Sequence, residues 1–313
     1  MRAFVFPGQG AQVIGMGKAL AEAYPEARAV FDEVDDTLGE PLSALIWEGE
    51  IETLTLTRNA QPALMATSLA AFRALEAEGV DISDAGLVAG HSLGEYSALA
   101  AAGALSLKDT ARLLRIRGDA MQEAVPAGVG AMAAILGLSF EQVAEIAAKA
   151  TSPEEIVQAA NDNDPAQVVL SGHAPAVERA MALCKEAGAK RALPLPVSAP
   201  FHSALMQPAA ERMAEALAEV EILAPNVPLV ANVTARPVTE PAEIRDLLVA
   251  QVTGSVRWRE SVMHMAEAGV TETWEIGAGK ALTGMIRRIA KEIETKTVGT
   301  PDEAAAAAQS LKE

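Results

Sequence analysis

The chain has 313 residues, 50% of them hydrophobic, a formal net charge of −17 and one cysteine. That size and apolar content suit one large α/β domain, or a large domain with a smaller one. So acidic a chain lacks the basic footprint of a nucleic-acid binder, and a lone Cys184 allows neither an internal disulfide nor a multi-cysteine zinc site.

The chain opens on a strand-like Phe4-Val5-Phe6 rather than on a charged and then apolar leader, so no secretory signal is expected. The strand runs into Pro7-Gly8-Gln9-Gly10-Ala11-Gln12. Two glycines there let backbone amides come close to a ligand, although on its own the stretch reads as an ordinary βα loop. Helical patterns follow over 16–23 and 25–38, and a long helix lies within 57–78, with Asn59, Gln61 and Pro62 near its start.

The apolar run 86–89 leads into Gly90-His91-Ser92-Leu93-Gly94-Glu95, and a small-residue helical run, 96–104, leads out. Strand, sharp turn and helix around G-x-S-x-G make a nucleophile elbow, which holds the serine strained with its hydroxyl exposed. The Leu93 amide, at a helix N-terminus, is placed to stabilise an oxyanion. The longest apolar run, 86–107, contains His91, Ser92 and Glu95, which a membrane span would not hold without partners.

Ser106 caps a helix over 107–124, with Asp109 three residues on. Lys108, Arg112, Arg115, Asp119 and Gln122 form its polar stripe, and Leu113, Leu114 and Met121 its apolar one. Arg117 falls on the apolar side. A buried guanidinium needs an anion, and two remain open: an internal carboxylate, or a carboxylate on the substrate held bidentately.

From 126 to 197 the rhythm changes to strand 129–136, helix 140–150, strands 156–160 and 168–171, helix 175–187 and strand 191–197. That βαββαβ order is ferredoxin-like. The run from Asn161 to Pro165 reads as its central turn, and Cys184 as a small core residue of its second helix. The chain returns through Ser198-Ala199-Pro200-Phe201-His202-Ser203 to a helix over 208–220, a strand over 229–232 and helices over 241–253 and 259–268. A strand over 272–276 enters Gly277-Ala278-Gly279-Lys280, which is not a Walker A loop, since Trp274 and Ala281 stand where glycine and Ser or Thr are required. A helix ending near 291 and an Ala-rich tail complete the chain. The expected fold is α/β, a hydrolase-like core with a mostly parallel sheet formed by 1–125 and 198–313, into which the ferredoxin-like subdomain 126–197 is inserted.

Of the four histidines, His91 is expected to point off the far side of the elbow, His173 follows a turn of the subdomain, and His264 sits mid-helix as packing. His202 lies where the subdomain rejoins the core, a junction that forms a cleft. It is the best base for Ser92. An elbow hydrolase has its triad acid between serine and histidine. Only Asp162 and Asp164 lie in a turn there, so a carbonyl is the alternative orienting group.

Phe6-Pro7-Gly8-Gln9-Gly10, Gly90-His91-Ser92-Leu93-Gly94-Glu95, Arg117-Gly118, Ala199-Pro200-Phe201-His202-Ser203 and Glu275-Ile276-Gly277-Ala278-Gly279 occur in order along nearly the whole chain. Together they resemble the malonyl-CoA:acyl-carrier-protein transacylases of fatty-acid synthesis. The resemblance implies that Ser92 attacks the thioester with His202 as base, in a ping-pong cycle using malonyl-CoA and acyl carrier protein and no bound cofactor. It further implies that the amides of Gln9 and Leu93 form the oxyanion hole, that Arg117 holds the malonyl carboxylate, and that the Gln251 carbonyl orients His202. Phe201 fits the malonyl-selecting form of the motif, and Asn161 and Asn163 match a region near the cleft. The implied acceptor is acidic, so docking needs a basic patch; Lys190, Arg191, Arg287, Arg288 and Lys291 are the candidates, and solvated surface charge is the alternative. A cytoplasmic monomer is expected. The competing readings are a serine hydrolase, either a thioesterase or a patatin-like lipase, and a noncatalytic carrier-binding module.

Overall fold

The computed structural model describes residues 1–197 and 199–311; Ser198, where the expected large unit resumes, and Lys312 and Glu313 at its end lie outside the described residues. The strands are β1 (Arg2–Phe6), β2 (Leu87–Gly90), β3 (Gly130–Leu136), β4 (Val157–Asp164), β5 (Gln167–His173), β6 (Arg191–Pro194), β7 (Leu229–Val230), β8 (Pro237–Val238), β9 (Glu272–Ile276) and β10 (Glu294–Val298). The helices are α1 (Lys18–Ala23), α2 (Pro25–Leu38), α3 (Leu42–Glu48), α4 (Ile51–Thr55), α5 (Thr57–Ala77), α6 (Gly94–Ala101), α7 (Leu107–Glu123), α8 (Phe140–Ala150), α9 (Ala174–Glu186), α10 (Gln207–Ala218), α11 (Pro241–Thr253), α12 (Trp258–Glu267), α13 (Ala281–Ile289) and α14 (Pro301–Gln309).

One sheet has the order β10-β9-β1-β2-β7-β8 and is parallel except for β8. Helices cover both faces, so β1 and β2 read as unbroken apolar runs rather than alternating ones. The second sheet, β4-β5-β3-β6, is antiparallel and carries α8 and α9 over its own apolar core, where Cys184 is buried as expected. The fold is mixed α/β with the expected parallel and antiparallel sheets.

Three expectations change. Asn161 to Asp164 are not a turn. They continue β4, whose backbone is bulged and pairs on its free side with the segment before α12, through Asp162 N to Val256 O at 2.9 Å and Val256 N to Ala160 O at 2.8 Å. Strand pairing outranks their turn propensity here, since the backbone is paired on both sides and the side chains of Asp162, Asn163 and Asp164 meet Arg259, His91 and Arg288. Residues 294–298 form edge strand β10, which the sequence reading left unassigned. His264 is not apolar packing: its Nδ1 lies 3.1 Å from Arg236 Nη1, beside an exposed Met263.

Helix α5 is buried along most of its length, which fits its apolar character all round. Pro62 sits inside it, so the Arg58 carbonyl loses its helical donor. Arg115 Nη1 supplies one at 2.7 Å. Gly118 lets α7 approach α5 closely, since a Cβ there would lie 2.6 Å from Arg58 Cα. Those two contacts bring Arg117 beside Gln61.

Candidate active site

Ser92 stands between β2 and α6 at φ +53°. The glycines around it are required by space. A Cβ on Gly90 would lie 1.9 Å from Gly94 O, and one on Gly94 would lie 2.2 Å from Phe6 O. His202, in the loop after β6, is also left-handed, at φ +54°. Two non-glycine residues in that region carry strain which the surrounding structure must hold.

The two meet. Ser92 Oγ lies 2.7 Å from His202 Nε2, and His202 Nδ1 lies 2.8 Å from Gln251 O on α11. A carbonyl only accepts, so Nδ1 carries the proton and Nε2 offers its lone pair to the serine. The pKa of His202 is lowered to about 3, by burial first and then by the positive charge of Arg117. The imidazole is therefore neutral and ready to accept the serine proton. No acid of a triad is needed to set its tautomer.

Arg117 projects from α7 and is 1% exposed. Its Nη1 donates to Gln61 Oε1 at 2.7 Å, and its Nη2 donates to Gln251 Oε1 at 2.8 Å and to Ser92 Oγ at 3.2 Å. Its Nε has no partner among the described residues, and no carboxylate there lies within ion-pair distance of it. Of the two anions left open by the sequence, the internal ion pair is absent among the described residues. The guanidinium keeps its charge despite burial.

Gln251 holds the site together. Besides its carbonyl on His202, its Nε2 donates to Ser92 O at 2.9 Å, Glu95 Oε2 at 2.6 Å and Asn232 Oδ1 at 3.3 Å. Asn232 Oδ1 in turn accepts the Ser92 amide at 2.8 Å. The elbow amides of Gly94, Glu95 and Tyr96 are occupied by local carbonyls. Among the described residues the amides of Gln9 and Leu93 enter no hydrogen bond, and both residues line the cavity in front of Ser92. Thr57 Oγ1 pins the Gln9 side chain at 3.0 Å and accepts from Gln61 at 2.8 Å, so the Gln9 loop connects to Arg117.

That cavity has a volume of about 350 Å³. The elbow forms one wall, Met132 and Val169 of the antiparallel sheet another, and α13 contributes Leu282 and Met285. Phe201 lines it next to His202, as do Asn161 and Asn163. His91 does not point away from it. It lines the same cavity, with Nε2 2.8 Å from Asn163 Oδ1. The basic candidates lie elsewhere on the surface. Lys190 and Arg191 are exposed, Arg287 donates to Thr295 Oγ1 at 2.8 Å, and Arg288 is committed to buried Asp164 at 2.7 Å.

Glu95, Gln61 and Asn232 were given no role from the sequence. The available signal was for Glu95 alone, an acid three residues past Ser92 within an otherwise uncharged, mostly apolar run. Among the described residues no group of three or more His, Cys, Asp or Glu is placed to hold a metal ion, and no helix is long and apolar enough to cross a membrane. A neutral imidazole on a strained serine, with free amides and a buried cation alongside, is equipped to carry an acyl group bearing a negative charge.

Known proteins share this framework. Residues 3–307 match the acyl transferase domain family. The malonyl CoA-acyl carrier protein transacylase of Bacillus subtilis is 50% identical over 99% of this chain and 97% of its own. The crystal structure of an acyl-carrier-protein-S-malonyltransferase from Bartonella henselae is 56% identical, covers 100% of this chain and 99% of that one, and superposes with a TM-score of 0.97. A malonyl-transacylase solved in complex with its type II PKS acyl-carrier protein is similar at 44% identity and a TM-score of 0.95, covering 99% of each chain. With a family match over nearly its whole length and relatives at half identity or more, the chain belongs to the acyl transferase domain family and is an acyltransferase.

Proposed function

We propose that the protein transfers the malonyl group of malonyl-CoA to the phosphopantetheine thiol of acyl carrier protein, through a malonyl ester on Ser92, and so supplies fatty-acid synthesis. The observation that carries this reading is Arg117: a buried cation without a carboxylate partner among the described residues, 3.2 Å from the nucleophile. The names of the relatives support it.

In the first half-reaction Ser92 Oγ attacks the thioester carbonyl as its proton moves to His202 Nε2. The amides of Gln9 and Leu93 receive the oxyanion, each such donor contributing roughly 2.7–4 kcal/mol. His202 then protonates the leaving CoA thiolate. In the second half the carrier thiol gives its proton to His202 and attacks the serine ester, and His202 returns that proton to Ser92 Oγ as the ester C–O bond breaks. The Gln251 carbonyl accepts the Nδ1–H bond throughout and steadies the imidazolium. Arg117 orients the acyl carboxylate, a charge-assisted bond contributing roughly 1.5–3 kcal/mol. A carboxylate there also offsets the positive charge that helps hold the His202 pKa low, so the base strengthens when the right acyl group is bound. Phe201 limits the width of the acyl group.

These steps need no cofactor, with malonyl-CoA as donor substrate. The reading places the protein in the cytoplasm as a monomer of two units, 1–125 with 198–313 and 126–197, with the acyl group held between them. Lys190, Arg191 and Arg287 are the more available contacts for an acidic carrier, since Arg288 is tied to Asp164. The test is incubation with malonyl-CoA and holo carrier protein. A malonyl mass on Ser92 and on the carrier is expected. Free malonate with no malonyl carrier would make the protein a hydrolase, and no Ser92 adduct would leave only a binding module.

A further inference from the structure

One buried acid close to Ser92 has no part in that mechanism. Glu95 lies in the first turn of α6, three residues beyond the nucleophile, and is 1% exposed. A carboxylate buried this deeply is costly unless a cation or several donors compensate it. Its bonds are few: Gln251 Nε2 to Oε2 at 2.6 Å and a long one of 3.4 Å from the Asn232 amide to Oε1. Neither donor is charged.

The nearest compensating charge is one residue away. The Gln251 amide donates to Glu95 from its nitrogen and accepts from Arg117 Nη2 on its oxygen at 2.8 Å. Cation and carboxylate thus sit at opposite ends of a single amide, and each favours the charged form of the other. The remaining titratable neighbours are Tyr96 beside Glu95 and His202 on the Gln251 carbonyl; the strand β7 end and α11 present only the amides of Asn232 and Gln251. Arg117 is therefore the cation on which Glu95 depends.

We propose that Glu95 is a specificity-determining positioning residue: its carboxylate, joined to Arg117 through the Gln251 amide, is the counter-charge of the empty site and takes up a proton when an acyl carboxylate replaces it. This rests on the malonyl reading of the site. Two anions then compete for one buried cation, and the one that can shed its charge does so. The Glu95 carboxyl is already raised to about 7, by burial first, so little free energy separates its two forms near neutral pH. A neutral acyl group leaves Arg117 to Glu95 and gains nothing from the exchange.

The sign follows from linkage. Above about pH 7 the empty site holds Glu95 charged, and each further pH unit makes loading of an anionic acyl group harder. The KM for malonyl-CoA should rise about fivefold over the first pH unit above about 7. Loading in paired buffers of different ionisation enthalpy should show uptake of up to about one proton per malonyl-Ser92 formed. Glu95→Gln keeps an oxygen for Gln251 Nε2 but cannot ionise, and should form the adduct with neither the KM rise nor the proton uptake. A purely structural Glu95 would leave both readouts in place in the variant. The wild-type enzyme alone is decisive if the variant does not fold. A malonyl-Ser92 adduct formed without proton uptake overturns this proposal, whereas absence of the adduct overturns the malonyl reading itself.

Discussion

Arg117 and Arg259 show two uses of a guanidinium in one molecule. Arg259 lies on α12 and donates Nε to both carboxylate oxygens of Asp162 at 3.0 Å, and Asp162 is fully buried. Arg288 on α13 donates Nε to one oxygen, Oδ2, of buried Asp164 at 2.7 Å. Along β4 each of these two buried carboxylates meets its own cation, and the seam locks the antiparallel sheet against α12 and α13. Arg117 is more deeply buried than either, yet it meets two amides and a hydroxyl. Removing a cation from water without an anion beside it costs several kcal/mol. The seam recovers that cost through direct ion pairs, whereas Arg117 has only neutral groups in contact and its nearest carboxylate, Glu95, stands one amide away across Gln251.

The sharpest break in this comparison is Arg117→Ala. Turnover of malonyl-CoA should fall about 10²–10³-fold, the size of a lost charge-assisted contact plus misorientation, while turnover of acetyl-CoA changes less than about tenfold. Steady-state rates on the two thioesters check it. Arg259→Ala should do the reverse. It strands Asp162 in the interior and should cost about 2–4 kcal/mol in urea unfolding, with the malonyl-to-acetyl ratio unchanged. If Arg259→Ala alters selectivity instead, the two regions are not separable.

The pH profile sharpens the same contrast. With His202 held near 3, the acid limb of kcat/KM should not appear at the ordinary histidine value of 6.5 but well below it. The unfolded chain takes up this proton at its ordinary value, so stability should fall as pH drops from 6.5 towards 3. An acid limb near 6.5 would mean that neither burial nor Arg117 acts on the base as described. The smallest effect is expected for Phe201→Ala, a few-fold gain on branched acyl groups from a wider cavity, read as the ratio of methylmalonyl to malonyl turnover.

How much of this the sequence disclosed depends on how local the cause is. The elbow was legible because its pattern lies within a short stretch, two glycines about a serine with an apolar strand before and a small-residue helix after, even though Gly94 also answers to the distant Phe6 carbonyl. The caps at Ser106 and the position of Arg117 on an apolar helix face were legible for the same reason. Gln251 was not. Its carbonyl is oriented by a fold that joins residues 159 positions apart in sequence, from Ser92 to Gln251, and only family resemblance pointed to it. The Asn-Asp-Asn-Asp run reads as a turn in sequence, since the partners that make it a strand, His91, Val256, Arg259 and Arg288, come from three distant segments. Glu95 was in plain view within the motif, but its role depends on an amide that the chain supplies far downstream.

One measurement bears most directly on the unmatched cation. Equimolar malonyl-CoA and acetyl-CoA are offered together to the wild-type protein, and the adduct on Ser92 is identified by mass after proteolysis. The account predicts a malonyl ester on Ser92 in large excess over acetyl. Equal occupancy by the two acyl groups, or an adduct on another residue, would contradict it.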